Sequence, residues 1–395
     1  MIEASNSLKE SVKLRYGMVG GGSGSFIGDV HRRAISLDHQ AELCAGCFSR
    51  SFANTLETGK ALGVPEPRLY ESYLDMAKEE SKREDGINFV VIVTPNNSHY
   101  SIAKAFLEQG INVVCDKPVT TDPDDALKLE SLAKEKGLLC AVTYTYTGYP
   151  MVKHAKELIA SGAIGEIRFV NAEYPQEWLA ETVTDNKQAA WRIDPAQSGI
   201  SNCVGDIGSH IENLVSCITG LEIDSLCARL DKMVKGRQLD DNATIMINYT
   251  SGAKGLYWCS QVAWGADNGL AVRVIGSKGS LSWKQEAPDY LTLVQGHNAV
   301  QILSRGRDKL ADGAAKFVRL PSGHPEGYFE ALANIYLAYI GAVKKLMQGI
   351  SLTESDKNFP QLHDGWKGVE FVRRCVESSE KGAVWVTVPC RRVDG

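Results

Sequence analysis

The sequence of 395 residues predicts two domains: an α/β domain on a parallel sheet, then an α+β domain on a large open antiparallel sheet. Three observations predict this. Residues 13–146 alternate strand-like and helix-like stretches, as in a parallel sheet with helices on both faces. Beyond residue 149 long strand-like runs joined by short turns take over. The length also exceeds what a single ordinary core organises. We set the first domain at residues 1–147, with 1–12 a loose polar leader, and the second at 148–395.

The elements follow in order. "KLRYGMVG" (13–20) reads as a strand, "GDVHRRAISLD" (28–38) as a helix and "AELCAGCF" (41–48) as a strand. "FANTLETGKALG" (52–63) is a helix stopped by glycine, and "YLDMAKEESKRE" (73–84) a helix with a charged face. "NFVVIVTP" (88–95) is a continuous apolar run, as a strand covered on both faces requires. "NSHYSIAKAFLEQG" (97–110) is a helix and "INVVCDKP" (111–118) the next strand. "DPDDALKLESLAKEKG" (122–137) carries acids in its first turn, lysines in its last and a glycine stop. "LLCAVTYTY" (138–146) closes the series as a strand.

In the second domain "MVKHAKELIASG" (151–162) is a helix. Strands follow over 166–174, 224–234, 242–250, 252–264, 270–277 and 279–286, with hairpin turns at "TSGAKG" and "GSKGS". Two helices, 326–349 and 364–382, end the chain and are free to pack back on the first domain.

Composition narrows the function classes. Apolar residues at 44% and charged residues at 23% fit a soluble cytoplasmic protein. A net charge of −5 and the lack of a long basic run argue against nucleic acid as partner. No apolar stretch nears the roughly 18 residues of a spanning helix, and "MIEASNSLKE" lacks the apolar core of a signal peptide. Several of the ten cysteines sit in apolar runs and read as buried free thiols. Cys44 and Cys47 have CxxC spacing but no second pair or histidine nearby, so no metal site is predicted.

The stretch "GMVGGGSGSFIGDVHR" (17–32) holds five glycines between Gly20 and Gly28. A strand precedes it, a helix follows, and the alternation continues. That is the setting in which backbone N–H groups and a helix N-terminus hold a pyrophosphate, and in which a side chain would block the approach. The domain is therefore expected to be a Rossmann dinucleotide-binding domain. The spacing is unusual: Gly28 follows Gly22 by six residues rather than three. The second strand ends in "CFSRS" with no acid to favour NAD. Ser49 and Arg50 suit either a 2′-phosphate or a helix cap with a solvated arginine, so NAD and NADP both stay open.

At "DKPVT" (116–120) a resemblance emerges. The chain resembles the Gfo/Idh/MocA oxidoreductase family over nearly its whole length. "VIVTPNNSHYSIAKAFLEQGINVVCDKP" is similar to the family's most recognisable block, with Asp116 where glutamate is usual before Lys117 and Pro118. "GDIGSHIENL" (205–214) resembles its second catalytic block, and the glycine loop with His31 its first signature. "GSFIGDVHRRA", "TYTGYPMV", "WRIDPAQSG" and "GHPEGYFEA" resemble a subgroup with inositol- and sugar-dehydrogenase-like members.

The resemblance implies an NAD(P)-dependent dehydrogenase acting on a secondary ring hydroxyl of a cyclic polyol, sugar or glycoside. His210 would be the general base, a role that suits an imidazole near neutral pH. Asp206, four residues earlier, can share a helix face with it, orient it or hold a substrate hydroxyl. Lys117, at the carboxyl edge of the sheet, would polarise the hydroxyl. The cofactor would lie along Gly20, Gly22, Ser25, Phe26, Ile27, Ser49, Arg50, Thr94, Pro95, Asn96, His99, Asp116 and Lys117. His31 caps or packs. Tyr144, Tyr146, Tyr149, Arg192, Asp194 and His324 are candidates to line a carbohydrate site. Alternatives are a redox-assisted glycosidase that returns NAD unchanged, or a dinucleotide-binding protein without turnover. A homo-oligomer, dimer, tetramer or higher, joined through the open sheet, is expected.

Overall fold

The computed structural model describes residues 13–181, 194–307 and 309–391. The leader expected over 1–12, and Arg192, lie outside the described residues. In chain order the first domain has β1 (Leu14–Gly20), α1 (Phe26–Ser36), β2 (Ala41–Cys47), α2 (Phe52–Ala61), α3 (Tyr73–Glu80), β3 (Phe89–Val93), α4 (His99–Glu108), β4 (Asn112–Cys115), α5 (Pro123–Lys136) and β5 (Cys140–Val142). The strands form one parallel sheet, ordered β2-β1-β3-β4-β5. α5 has the ends its sequence promised. Asp122 caps it by accepting from Asp124 N at 2.8 Å, and Gly137 closes it in the left-handed region at φ 65°.

β3 is buried on both faces. Phe89, Val91 and Val93 enter one core, Val90 and Ile92 the other. The last two helices of the chain complete both covers: α8 (Tyr328–Met347) places Leu332, Tyr336 and Tyr339 in the first core, and α9 (Leu362–Glu380) places Trp366 and Val369 in the second.

The second domain contains α6 (Pro150–Ala160), β6 (Ile167–Pro175), α7 (Ser209–Thr219), β7 (Ile223–Asp231), β8 (Asn242–Tyr249), β9 (Lys254–Ser260), β10 (Ala271–Gly276), β11 (Gly279–Lys284), β12 (Tyr290–Gln295), β13 (Gln301–Ser304) and β14 (Val386–Thr387). Among the described residues these nine strands make one sheet, ordered β13-β12-β11-β10-β6-β9-β8-β7-β14. β6 and β9 pair in parallel and the other neighbours antiparallel. One face packs on α6 and α7; Phe169 and Met246 are exposed on the other.

Three expectations are corrected. The strand expected over 138–146 stops at Val142, because its partner β4 ends at Cys115 and the ladder has nothing further to bond. Thr145–Gly148 instead forms a 3₁₀ turn, so the tyrosines there are not on a strand. The strand expected over 224–234 stops at Asp231, where Met233 N and Val234 N turn to the Asp241 carboxylate at 2.7 and 2.9 Å. Strands β12 and β13 were not anticipated.

Candidate active site

The carboxyl edge of the parallel sheet supplies the first wall. β1 runs into a loop in which Gly20 adopts φ 84°, and a Cβ there would sit 2.7 Å from the Val93 carbonyl. Gly28 lies inside α1, where a Cβ would fall 2.4 Å from Gly21 Cα. It therefore does the packing work of a third glycine despite its late position. At Gly22 the obstacle to a side chain is the protein itself: Asn54 Oδ1 at 2.4 Å and the Phe48 carbonyl at 2.9 Å. Ser25 caps α1 by accepting from Gly28 N at 3.4 Å. The first-turn N–H groups of Phe26 and Ile27 have no intrahelical acceptor and suit an anion. This loop and helix start fit a dinucleotide.

At the end of β2, Ser49 Oγ accepts from Ser51 N at 3.1 Å, Ser51 caps α2, and Arg50 is exposed. After β3, Thr94, Pro95 and Asn96 form a turn, with Ser98 Oγ on Thr94 Oγ1 at 2.8 Å. His99 is buried, with its ring nitrogens 2.7 Å from the Pro118 carbonyl and 2.8 Å from that of Thr94. It staples the turns after β3 and β4. His31 is also buried and packs, with Nδ1 2.5 Å from the Tyr336 hydroxyl. Cys44 and Cys47 are free thiols on β2, and no metal-binding cluster occurs among the described residues.

The turn after β4 carries Asp116, Lys117 and a cis-linked Pro118. Asp116 Oδ1 accepts from Lys117 N at 2.8 Å and from Thr143 Oγ1 at 3.0 Å. Lys117 Nζ reaches into the second domain, donating to Asp206 Oδ1 at 2.8 Å and to the Asp206 carbonyl at 2.7 Å. Asp206 lies in a π-helical turn, Val204–Gly208, that leads into α7. Such turns break the i, i+4 geometry of an α-helix. Asp206 meets Lys117 through Oδ1 and Gln261 through Oδ2. Gly208 permits the turn, since a Cβ there would lie 3.0 Å from Val204 Cγ1 and 3.3 Å from Cys259 Sγ.

His210 projects from α7 among Tyr144, Tyr146 and Tyr174, with ring centroids 5.6, 4.8 and 6.3 Å away. Its Nδ1 is buried with no hydrogen-bond partner among the described residues. Burial, reinforced by the Lys117 charge, holds the imidazole well below its ordinary pKa, against a smaller opposing pull from Asp206. His210 is thus neutral at pH 7. Tyr146 and Tyr174 share a short hydroxyl contact, and Tyr174 donates to Asn268 Oδ1 at 2.7 Å. Gln176 Nε2 joins Asn268 at 2.8 Å, and Trp178 donates to Gln176 at 2.8 Å.

Of the other expected residues, Tyr149 is buried against Trp283, its ring centroid 5.4 Å away. Asp194 caps the one-turn helix Pro195–Ser198, accepting from Ala196 N at 3.0 Å and Gln197 Nε2 at 2.7 Å. That helix docks on the turn after β3 through Asn96 Nδ2 to Ser198 O at 3.3 Å. A small crevice opens there between Asn96, Pro118, Gly199 and Gly205. His324 is exposed, its carbonyl accepting from Arg305. The sequence reading missed Gln261, Asn268, Gln176 and Tyr174. Their only local signal is that each is polar or amphipathic and stands at or beyond a strand end.

Comparisons with known proteins place the chain in a family. Residues 14–144 match the model of an oxidoreductase family with an NAD-binding Rossmann fold, and residues 152–282 that of the GFO/IDH/MocA C-terminal domain. The structure of an inositol dehydrogenase homolog complexed with NAD+ from Azotobacter vinelandii is 36% identical, with a TM-score of 0.92 over 98% of this chain and 100% of that one. Its complex with NADH and myo-inositol gives a TM-score of 0.89 at 36% identity over 95% and 97% of the chains. The uncharacterized oxidoreductase YfiI of Bacillus subtilis is 36% identical over 95% of this chain and 97% of its own. Levoglucosan dehydrogenase of Pseudarthrobacter phenanthrenivorans is 27% identical over 77% and 80% of the two chains.

Proposed function

This chain belongs to the GFO/IDH/MocA oxidoreductase family, and from that premise we propose that it oxidises a secondary ring hydroxyl of a cyclic polyol or sugar with NAD. One observation carries the reading. Lys117 uses two of its three N–H donors on Asp206, which leaves the third for an oxygen beside a neutral His210. Lys117 lowers the cost of negative charge on that oxygen as the hydroxyl is deprotonated. His210 takes the proton, being uncharged at neutral pH. Asp206 holds the ammonium in place. Nicotinamide, when bound, supplies the acceptor for the hydride. Tyr146, Gln176, Trp178 and Asn268 offer the aromatic surface and polar groups that suit a ring with hydroxyls on its rim.

An inositol-class polyol is the favoured substrate, supported by the Azotobacter relative solved with myo-inositol. NAD is favoured over NADP because that relative holds NAD+ and NADH. A protein that merely binds dinucleotide would have no use for Lys117, Asp206 and His210 in one site. No described helix is long and apolar enough to cross a membrane. The exposed sheet face with Phe169 and Met246 suits a second copy of the chain.

A screen of inositols, hexoses and glycosides with NAD and NADP in parallel, followed by reduced-nicotinamide absorbance, tests this. Net ketone with reduced cofactor is expected from an inositol. Free sugar released from a glycoside without net redox change would replace the proposal by the redox-assisted glycosidase. No product from any of them would remove it.

A further inference from the structure

Lys117 and Asp206 come from different domains, and a chain of buried side chains stands behind Asp206. Gln261, just past the end of β9, donates from Nε2 to Asp206 Oδ2 at 3.0 Å. Its Oε1 accepts from Asn202 Nδ2 at 2.7 Å. Asn202 Nδ2 also donates to the Asp240 carbonyl at 3.2 Å. The Asp240 carboxylate accepts from Asn202 N at 2.9 Å, Val204 N at 3.0 Å and Ser201 Oγ at 3.0 Å, which anchors the entry to the π-helical turn. Gln261, Asn202 and Asp240 are 0%, 1% and 4% exposed.

The chain has a direction. An ionised carboxylate only accepts, so Gln261 must turn its nitrogen to Asp206 and its oxygen to Asn202. Asn202 must then turn its own nitrogen to Gln261. The consequence is visible: Asn202 Oδ1 is buried with no hydrogen-bond partner. An orphaned buried acceptor costs free energy, and a flip of the amide would remove a donor from Gln261 and set two oxygens face to face. The orphan is thus the result of an orientation imposed from the Asp206 end.

We propose that Gln261, anchored by Asn202 and the Asp240 segment, is a positioning residue that keeps the Asp206 carboxylate aimed at Lys117. The inference rests on the reading of Lys117 as the group that polarises the substrate hydroxyl. Asp206 and Gln261 are faced by Lys117 from the turn after β4, His210 from α7, Tyr174 from β6, Cys203 before the π-turn and Asp240 before β8.

Gln261→Glu separates positioning from packing, since it keeps the shape. In acid the introduced carboxyl is protonated and donates as the amide does. Once ionised, it sets a like charge against Asp206. The ratio of variant to wild-type kcat is expected near one at about pH 5 and at least about tenfold lower at about pH 8, with the substrate KM little changed. A ratio that stays flat across pH overturns the proposal. Melting temperatures without substrate give a second arm: the variant should fall away from wild type over the same pH range, and a constant difference overturns the hydrogen-bond chain. If wild type turns over nothing in the screen, the dehydrogenase reading fails, while the melting arm still decides the chain. Should Gln261→Glu not fold at any pH, Asn202→Leu carries the test. It leaves Gln261 Oε1 buried without its donor and removes the side chain's anchor behind Asp206, so kcat should drop at unchanged KM, and wild-type kcat overturns the proposal.

Discussion

The two walls of the site obey different rules. On the first-domain side, the glycine loop, the start of α1 and the turns after β3 and β4 are short contiguous stretches at one sheet edge. Their shape is set by backbone demands: a positive φ at Gly20, a missing Cβ at Gly28, a cap at Ser25. On the second-domain side nothing is contiguous. Tyr174 ends β6, Asp206 sits in a π-turn, His210 in α7, Gln261 and Asn268 beyond β9. On the proposed reading the first wall is a local object that binds, and the second, assembled by topology, supplies the chemistry together with Lys117. Damage to the two should therefore read out differently.

The largest effects should come from the second wall and the lysine that crosses to it. His210→Ala should cost about 10²–10⁴-fold in kcat, as expected for a lost general base. Lys117→Met should cost about 10²–10³-fold, as for one lost electrostatic stabiliser. The double variant should lose less than the product of the two, because both groups act on one oxygen. All three should fold and bind NAD as wild type does. A variant with near wild-type turnover would remove its residue from the reaction. Weakened NAD binding in all of them would dissolve the division between the walls.

A smaller effect, of the opposite kind, is expected at the first wall. Gly28→Val drives a side chain into Gly21, so it should cost about 1–3 kcal/mol of stability by overpacking and loosen the loop. Denaturant midpoint and NAD affinity should fall together. A lowered midpoint with intact NAD affinity would move the dinucleotide off this loop.

The smallest effect should touch neither function. Glu212 lies on α7 two residues from His210, but burial, opposed by Lys367, raises its carboxyl to about 8. The unfolded chain would release that proton near the ordinary carboxyl value of 4.5. From there up to about pH 8 the folded state binds more protons than the unfolded one, so stability falls as pH rises. Glu212→Gln should thus melt like wild type near pH 4 and higher by roughly a few degrees at pH 8. Identical melting at both pH values would mean that the carboxyl is ionised in the fold.

The same contrast explains what could be read in advance. Strands, helices and the glycine loop of the first domain follow from local pattern, because caps and turns are made by neighbours in the chain. Lys117, Asp206 and His210 are singled out by their likeness to known blocks. Gln261 could not be: its partner Asp206 is 55 residues away, and nothing in "WCSQVAW" announces a hydrogen bond that the packing of β9 on the π-turn creates. Asn268 is 122 residues from Tyr146. Tyr144 and Tyr146 fall within the strand expected over 138–146, since aromatic-rich sequence favours one. The end of β4 decided otherwise, since an edge strand cannot outlast its partner.

The covering of the parallel sheet by α8 and α9 also has a meaning in time. A ribosome adding 5–20 residues each second takes about 12–50 s to travel the roughly 240 residues from Val142 to Glu380. Throughout that interval all five strands of the first sheet exist, yet the faces that Tyr336 and Trp366 will seal stay open. The first domain is complete in sequence long before it is complete as a folded body. The newborn chain must therefore be kept from its neighbours, by its own second domain or by a chaperone, until its last helices emerge.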